Sequence, residues 1–462
     1  MTAARTSVAM TGAIAAELRR HLLRDDRQED VCFGTYRVSS GVERTTALMG
    51  EVILPEAGER SVHGNASFTG DYVVRAASIA SQTRAGIVLL HSHPGGSGWQ
   101  RMSHHDADAE RSYAHLAHAI TGLPLVGMTL AGADGAWSAR WWSSSGHENW
   151  SESVRVINDQ LAVTWNDDRR PPPRVEATQI RTVSGWGERA QADIARIRVL
   201  VVGGGSVGLE VALRFAASGI EHVGVMDFDT AETVNLDRMI GVTILDVALH
   251  RAKIDVARRL LADAATARQP RIETYDTSIC EPEGHRIALD YDIIVSCVDR
   301  PWPRAVLNLL AYADLIPVID GGIHIDPFPD HGMRNATWRS HVIRPGRPCL
   351  ACNGQLDLGL VSIDRDGLLD DPDYIARAGI ALRPARQNVA ALSIKRSRHP
   401  GSMPDFYQRS IRVRCGSSAD ESCSATAPDC DVAQPCSRSA QRRNERTSYD
   451  GTSTSVRYRT LG

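Results

Sequence analysis

"VLVVGGGSVGLEVALRF", Val199 to Phe215, decides the fold of the C-terminal half of this chain. A short apolar run with strand character ends in a glycine turn, and apolar residues then resume at helical spacing. Gly203, Gly205 and Gly208 stand between the two as G-x-G-x-x-G. Glycines there let the backbone approach phosphate groups, and a helix N-terminus adds amide donors and positive partial charge. Alone, the pattern suits a dehydrogenase as well as any other nucleotide enzyme.

The neighbouring segments alternate in the same way. "IRVLVVGGG", a helix from Ser206 to about Ser218, "HVGVMDFD", a helix around Arg251 to Ala262, "YDIIVSCVD", a helix from Trp302 to Ala313 and "IPVIDGG" follow in order. That βαβ order predicts a largely parallel sheet covered on both faces. The polar residues at the strand ends also recur in a fixed order: "MDFD", "NLDR", "HRAK" and "SCVDRPWPRAVLN". Taken singly, Asp227 reads equally well as a turn residue, Lys253 as a solvated helix face and Asp299 as a helix N-cap.

Together these elements resemble the adenylation domain of the ThiF/MoeB and ubiquitin-activating enzyme family over residues 176–394. The resemblance implies ATP and Mg2+ as cofactors, with Gly203, Gly205 and Gly208 at the phosphates and Asp227 on the ribose. Asn235, Arg238 and Lys253 would hold the triphosphate and Asp299 the magnesium, with Arg238 and Asp299 also catalytic. Arg304 and Asn308 match the helix that follows that Asp. It further implies a ubiquitin-like partner ending in glycine, a conjugating enzyme or sulfur donor downstream, and a homodimer through this domain. "CLACNGQ" supplies a zinc pair, Cys349 and Cys352, but no second CxxC follows. The later cysteines, Cys415, Cys423, Cys430 and Cys436, have unrelated spacings. Either Cys349 or Cys352 takes the activated acyl group, or the domain stops at the adenylate.

The N-terminal half reads as an α+β unit. Strands are expected at "VCFGTYRV", "TALMGEVILP", "YVVRAASIA", "AGIVLLHSH" and "LPLVGMTLAG", with a helix from Asp106 through His118. "HSHPGGSGWQRMSHHD", His91 to Asp106, follows an apolar strand. Two residues apart at a strand end, His91 and His93 point to one side, and Asp106 can close a site from the first helical turn. A catalytic zinc needs three such ligands and an open position, together with a carboxylate to move protons. The alternative is a set of solvated loop histidines, the reading kept for His104 and His105. His-x-His, Ser and Asp in this order resemble the JAMM motif of the JAB/MPN metalloproteases over roughly residues 25–145, with a spacer two residues longer than the family's. That resemblance implies Zn2+ on His91, His93 and Asp106, Glu29 as general acid/base with Asp30 and Glu51 as weaker candidates, and Ser103 as oxyanion donor.

Composition bounds the rest. The chain has 462 residues, 42% apolar and 23% charged, as in soluble globular proteins. A formal charge of −3 gives no general attraction to nucleic acid or to anionic membrane. No apolar run spans a bilayer, and the start "MTAARTSVAMTGAIAAELRRHLL" reads as an amphipathic helix, so a cytoplasmic protein is expected. The expected fold is an α+β JAB/MPN (cytidine-deaminase-like) domain over 1–155, a proline-rich linker over 156–175, and a Rossmann-like α/β ThiF adenylation domain over 176–394 with a mainly parallel sheet. From 395 to 462 the periodicity is lost, as in a disordered tail or a shifted reading frame. The combination points to a zinc isopeptidase cutting at the C-terminal glycine of a ubiquitin-like protein, fused to a domain that adenylates the same carboxylate. The alternatives are maturation and activation of a sulfur carrier, and a docking module without catalysis.

Overall fold

A computed structural model describes residues 5–63, 65–328 and 332–371; the expected tail, its four cysteines and the last part of the 176–394 segment lie outside them. Two large sheets organise the described residues.

The first begins with β1 (Arg5–Thr11), α1 (Gly12–Leu22), β2 (Val31–Ser40) and β3 (Arg44–Ile53). A small hairpin of β4 (Arg60–His63) and β5 (Asn65–Phe68) leads to α2 (Gly70–Thr83), β6 (Gly86–His93) and α3 (His104–Thr121). It closes with β7 (Leu125–Ala131), β8 (Trp137–Trp142), β9 (Glu148–Trp150), β10 (Ser153–Ile157) and β11 (Leu161–Trp165). The nine strands run in the order β11-β10-β1-β3-β2-β6-β7-β8-β9. "AGIVLL" is apolar at every position because β6 is covered on both faces: Val88 and Leu90 join Leu18 and Trp137, whereas Ile87 and Leu89 join Tyr72, Ala76 and Ala114.

Three expectations need correction here. "YVVRAASIA" is not a strand but the body of α2. Its buried residues, Tyr72, Val73, Ala76, Ala77 and Ala80, follow the 3.6-residue period, Thr69 caps its start, and the adjacent valines mask that pattern. The chain start is a buried strand, β1, before it becomes the helix α1. The stretch 156–175 is not all linker, because β10 ends in it and β11 pairs antiparallel with β10 inside it.

The second sheet follows α4 (Ile180–Trp186) and α5 (Glu188–Ala195). Its parts are β12 (Arg198–Val202), α6 (Ser206–Ala217), β13 (His222–Met226), α7 (Ile244–Ala248), α8 (Lys253–Ala264) and β14 (Arg271–Tyr275). Then come α9 (Pro282–Ala288), β15 (Ile293–Ser296), α10 (Pro301–Ala313), β16 (Val318–Pro327), β17 (Met333–Ile343) and α11 (Leu358–Arg365). The order β14-β13-β12-β15-β16-β17 is parallel except for β17. Val199 and Val201 pack on α6 and α8, while Leu200 and Val202 face α9 and α10, so helices cover both faces as expected. Strand order reverses between β12 and β15, and ligands bind such sheets at the carboxyl ends of the strands there.

The two halves meet through buried charge. The Arg44 guanidinium pairs with Asp292, and both side chains are fully buried. Arg198 makes a bidentate pair with Glu152, at 2.6 and 2.8 Å. The Asp290 carboxylate accepts the backbone N–H groups of Val42, Glu43 and Arg44 at 2.9–3.1 Å, which seats the β2–β3 turn on the second sheet.

Candidate functional sites

Strand parity builds the first site. Ile87, Leu89, His91 and His93 alternate onto one face of β6, the face on which α3 packs through Ala114 and Ala117. Ser92 points the other way; its hydroxyl donates to the Leu22 carbonyl at 2.8 Å and accepts the Asp30 N–H at 3.1 Å. Helix α3 opens with a capping box in which Ser103 accepts the Asp106 N–H and Asp106 accepts the Ser103 N–H. Asp106 therefore sits at the first helical turn facing the two imidazoles.

The three ligand atoms lie close together. His91 Nε2 and His93 Nε2 are 3.2 Å apart, and Asp106 Oδ2 is 3.9 Å from the first and 3.8 Å from the second. Zinc bonds of about 2.0–2.1 Å at tetrahedral angles would place neighbouring donors about 3.3–3.4 Å apart; the two imidazoles stand at that spacing, and the Asp106 oxygen lies about 0.5 Å beyond it, within reach of one shared ion. Burial pushes His91 down to about 3, aided by Arg140, which keeps its ring neutral. His93 is raised, first by its bond to Asp106. Burial pushes Asp106 up, but His93, His91 and Ser103 outweigh it and hold the carboxyl below its usual range.

The candidate bases separate clearly. Glu29 is half-buried and its carboxyl is raised by that burial, and it feels the charges of both His93 and Asp106. Asp30 is 1% exposed and bound to Arg60, while Glu51 is exposed on β3, where its N–H binds Thr35. Ser103 does not point a free hydroxyl at a substrate: its Oγ donates to Asp106 Oδ2 at 2.8 Å, so it holds a ligand instead.

The second site lies at the switch point. Gly203 has φ +97°, and a Cβ there would press on the Cys297 carbonyl. At Gly208 a Cβ would collide with the Gly203 oxygen, so α6 can approach the loop only through glycine. Gly205 is the N-cap of α6. Asp227, at the end of β13, accepts the Gly204 N–H at 2.7 Å and the Asp229 N–H at 2.8 Å. Burial raises its carboxyl, opposed by Lys253. Lys253, the first residue of α8, lies 2.7 Å from Asp229, the second acid of "MDFD".

The other expected residues vary in their placement. Arg238 is exposed and its guanidinium makes no hydrogen bond or ion pair among the described residues. The Asn235 oxygen accepts the Glu232 N–H at 2.9 Å and shapes the turn before Arg238. Asp299 is exposed just before α10; it is not the N-cap, which is Arg300. The backbone at Cys297 donates to Val202 at 2.8 Å, which brings this segment beside the glycine loop. Arg304 is taken up by Asp320 at 2.8 Å, and the Asn308 oxygen accepts the Leu350 N–H at 2.9 Å. Cys349 and Cys352 are not joined in a disulfide, and their sulfurs lie 3.3 Å apart. Among the described residues they gather no third ligand; the one metal-competent cluster is His91, His93 and Asp106.

Residues 176–375 match the ThiF family model. Relatives include the adenylyltransferase and sulfurtransferase MOCS3 of Culex quinquefasciatus, 32% identical over 30% of this chain and 31% of that protein. Another is the adenylyltransferase and sulfurtransferase uba4 of Aspergillus clavatus, 31% identical over 26% of this chain and 24% of that protein. The chain thus spans less than a third of these relatives' length. Among solved structures, the E. coli tRNA N6-threonylcarbamoyladenosine dehydratase TcdA is 23% identical over 32% of this chain and 66% of its own, with a TM-score of 0.29. By the family match residues 176–375 are ThiF-like, and the mainly parallel sheet described above is Rossmann-like. The family match does not reach residues 1–175. Among the described residues no helix is long and apolar enough to cross a membrane.

Proposed function

We propose that the C-terminal half uses Mg-ATP to adenylate the C-terminal carboxylate of a small ubiquitin-like sulfur carrier, and that the N-terminal half is a metal-dependent peptidase that trims that carrier to its terminal glycine. The observation that carries the first part is the glycine loop bound to Asp227 at the switch point, with Lys253 beside it. The matched relatives, named as adenylyltransferases and sulfurtransferases, support it and favour a sulfur carrier over a conjugated modifier.

In this reading the α6 N-terminus and the loop amides receive the triphosphate, and Asp227 receives the ribose. Lys253 and Arg238 spread the charge that builds as the carrier carboxylate meets the α-phosphate and pyrophosphate leaves. Asp299 would hold magnesium, which when bound neutralises phosphate charge. Asp299→Ala is expected to lower Mg-dependent pyrophosphate exchange by about 10²–10³-fold, a loss of the size seen when one transition-state electrostatic contact is removed. Peptidase activity of the same preparation should be unchanged; equal loss of both would point to unfolding.

For the N-terminal half the carrying observation is the three-atom cluster. A zinc ion on His91, His93 and Asp106 would supply Lewis acidity and a water of lowered pKa. The raised carboxyl of Glu29 is suited to take a proton and return it to the leaving amine. Glu29→Gln is expected to slow cleavage of a carrier precursor by about 10²–10⁴-fold while zinc content, read by atomic absorption, stays at the wild-type level. Loss of the metal together with activity would make Glu29 a ligand and refute this assignment. The proposal includes a homodimer through the adenylating domain.

A further inference from the structure

We propose that Gln100 is a positioning residue that selects the imidazole tautomer of His93, so that the long spacer loop forms a second layer of the metal centre. The inference rests on the metal-centre reading above. Gln100 Nε2 lies 2.8 Å from the Ser97 carbonyl and 3.1 Å from the Gly98 carbonyl. Carbonyl oxygens only accept, so the amide NH2 must face them and the amide orientation is settled by chemistry. Oε1 is thereby turned toward His93 Nδ1, 3.2 Å away. An amide oxygen also only accepts, so Nδ1 must carry the proton. The lone pair is then left on Nε2, the atom that faces His91 and Asp106.

The loop is built to hold this amide. Gln100 N donates to Ser138 Oγ at 2.6 Å, fixing the backbone to β8. The Asp134 carboxylate binds Ser97 Oγ at 2.9 Å and Gly98 N at 2.7 Å. A Cβ at Gly96 would collide with the Gln100 carboxamide, so glycine there leaves the amide its room. Trp99 packs against the core beneath. The loop between His93 and Ser103 thus delivers a hydrogen-bond acceptor to a ligand histidine, an outer contact that in metal sites typically governs affinity by about 10–100-fold.

The test uses the full chain and zinc or cobalt alone. Gln100→Leu is expected to weaken zinc binding, measured by chelator competition, by about 10–100-fold and to alter the visible spectrum of the cobalt form. Gln100→Glu keeps an acceptor at Nδ1 but sets its second carboxylate oxygen against the Ser97 and Gly98 carbonyls, so it should recover only part of the affinity that Gln100→Leu loses. Gly96→Ala should displace the amide and act like Gln100→Leu. In metal-free protein at alkaline pH, where the imidazole raised by Asp106 has lost its second proton, long-range 1H–15N spectra should show His93 as the single Nδ1–H tautomer in wild type and as a mixture in Gln100→Leu. Wild-type affinity and an unchanged tautomer in Gln100→Leu would overturn the proposal. A wild-type chain that takes up no metal would instead sink the metal-centre reading, and the tautomer spectra would still decide the role of Gln100.

Discussion

Lys253→Ala is expected to reduce carrier-dependent pyrophosphate exchange by about 10²–10³-fold, equivalent to about 3–4 kcal/mol of transition-state stabilisation. The reason is local charge. Lys253 lies 2.7 Å from Asp229 and opposes the raised carboxyl of Asp227. Without the ammonium, two carboxylates remain at the mouth of the glycine loop, where the triphosphate must bring further negative charge. Both ground-state nucleotide binding and turnover should suffer, because the same cation answers the phosphates before and during transfer. Lys253→Arg keeps the charge and should recover part of the loss. Exchange at the wild-type rate in Lys253→Ala would mean that Lys253 serves only to hold Asp229 and the α8 start.

The second large effect concerns stability. Asp292→Ala is expected to destabilise the protein by about 3–5 kcal/mol, because it leaves the buried guanidiniums of Arg44 and Arg155 without their shared carboxylate. Replacing the whole cluster by Arg44→Met, Arg155→Met and Asp292→Leu should cost much less than Asp292→Ala, since removing all three charges leaves none uncompensated. The same interface predicts acid sensitivity. Burial pushes Glu152 up, but Arg198 outweighs it and the carboxyl lies at about 2, below its ordinary 4.5. A depressed carboxylate contributes stability above its unfolded value that is lost as pH falls through the folded one. Denaturant midpoints should therefore fall between about pH 4.5 and pH 2, and Glu152→Gln should flatten that fall. A pH-independent midpoint across this window would contradict the assignment.

Much of the site was legible from residue types and spacing. His91 and His93 were placed on one side by the period-two rule, and β6 bears that out through its alternation between two cores. The glycine positions followed from a strand meeting a helix, where Gly208 admits no Cβ. What escaped depended on contacts between segments far apart in sequence. Asp229 became visible only when α8 brought Lys253 to it, and Gln100 only when the loop folded its amide onto His93. The JAMM resemblance implies Ser103 as an oxyanion donor, whereas the capping geometry turns its hydroxyl to Asp106. The reading of α2 as a strand failed for a local reason: Val73 and Val74 favour strands, but burial at Tyr72, Ala76 and Ala80 selects a helix. β11 was hidden because charge and proline follow it so closely.

The most direct measurement is pyrophosphate–ATP exchange by the purified full chain with a β-grasp carrier ending in Gly-Gly, preferably one encoded beside it. The account predicts Mg-dependent exchange that requires the free terminal glycine and is lost in Asp299→Ala. A preparation that binds ATP but shows no exchange with any carrier ending in Gly-Gly, or one that exchanges equally well without a carrier, would contradict it.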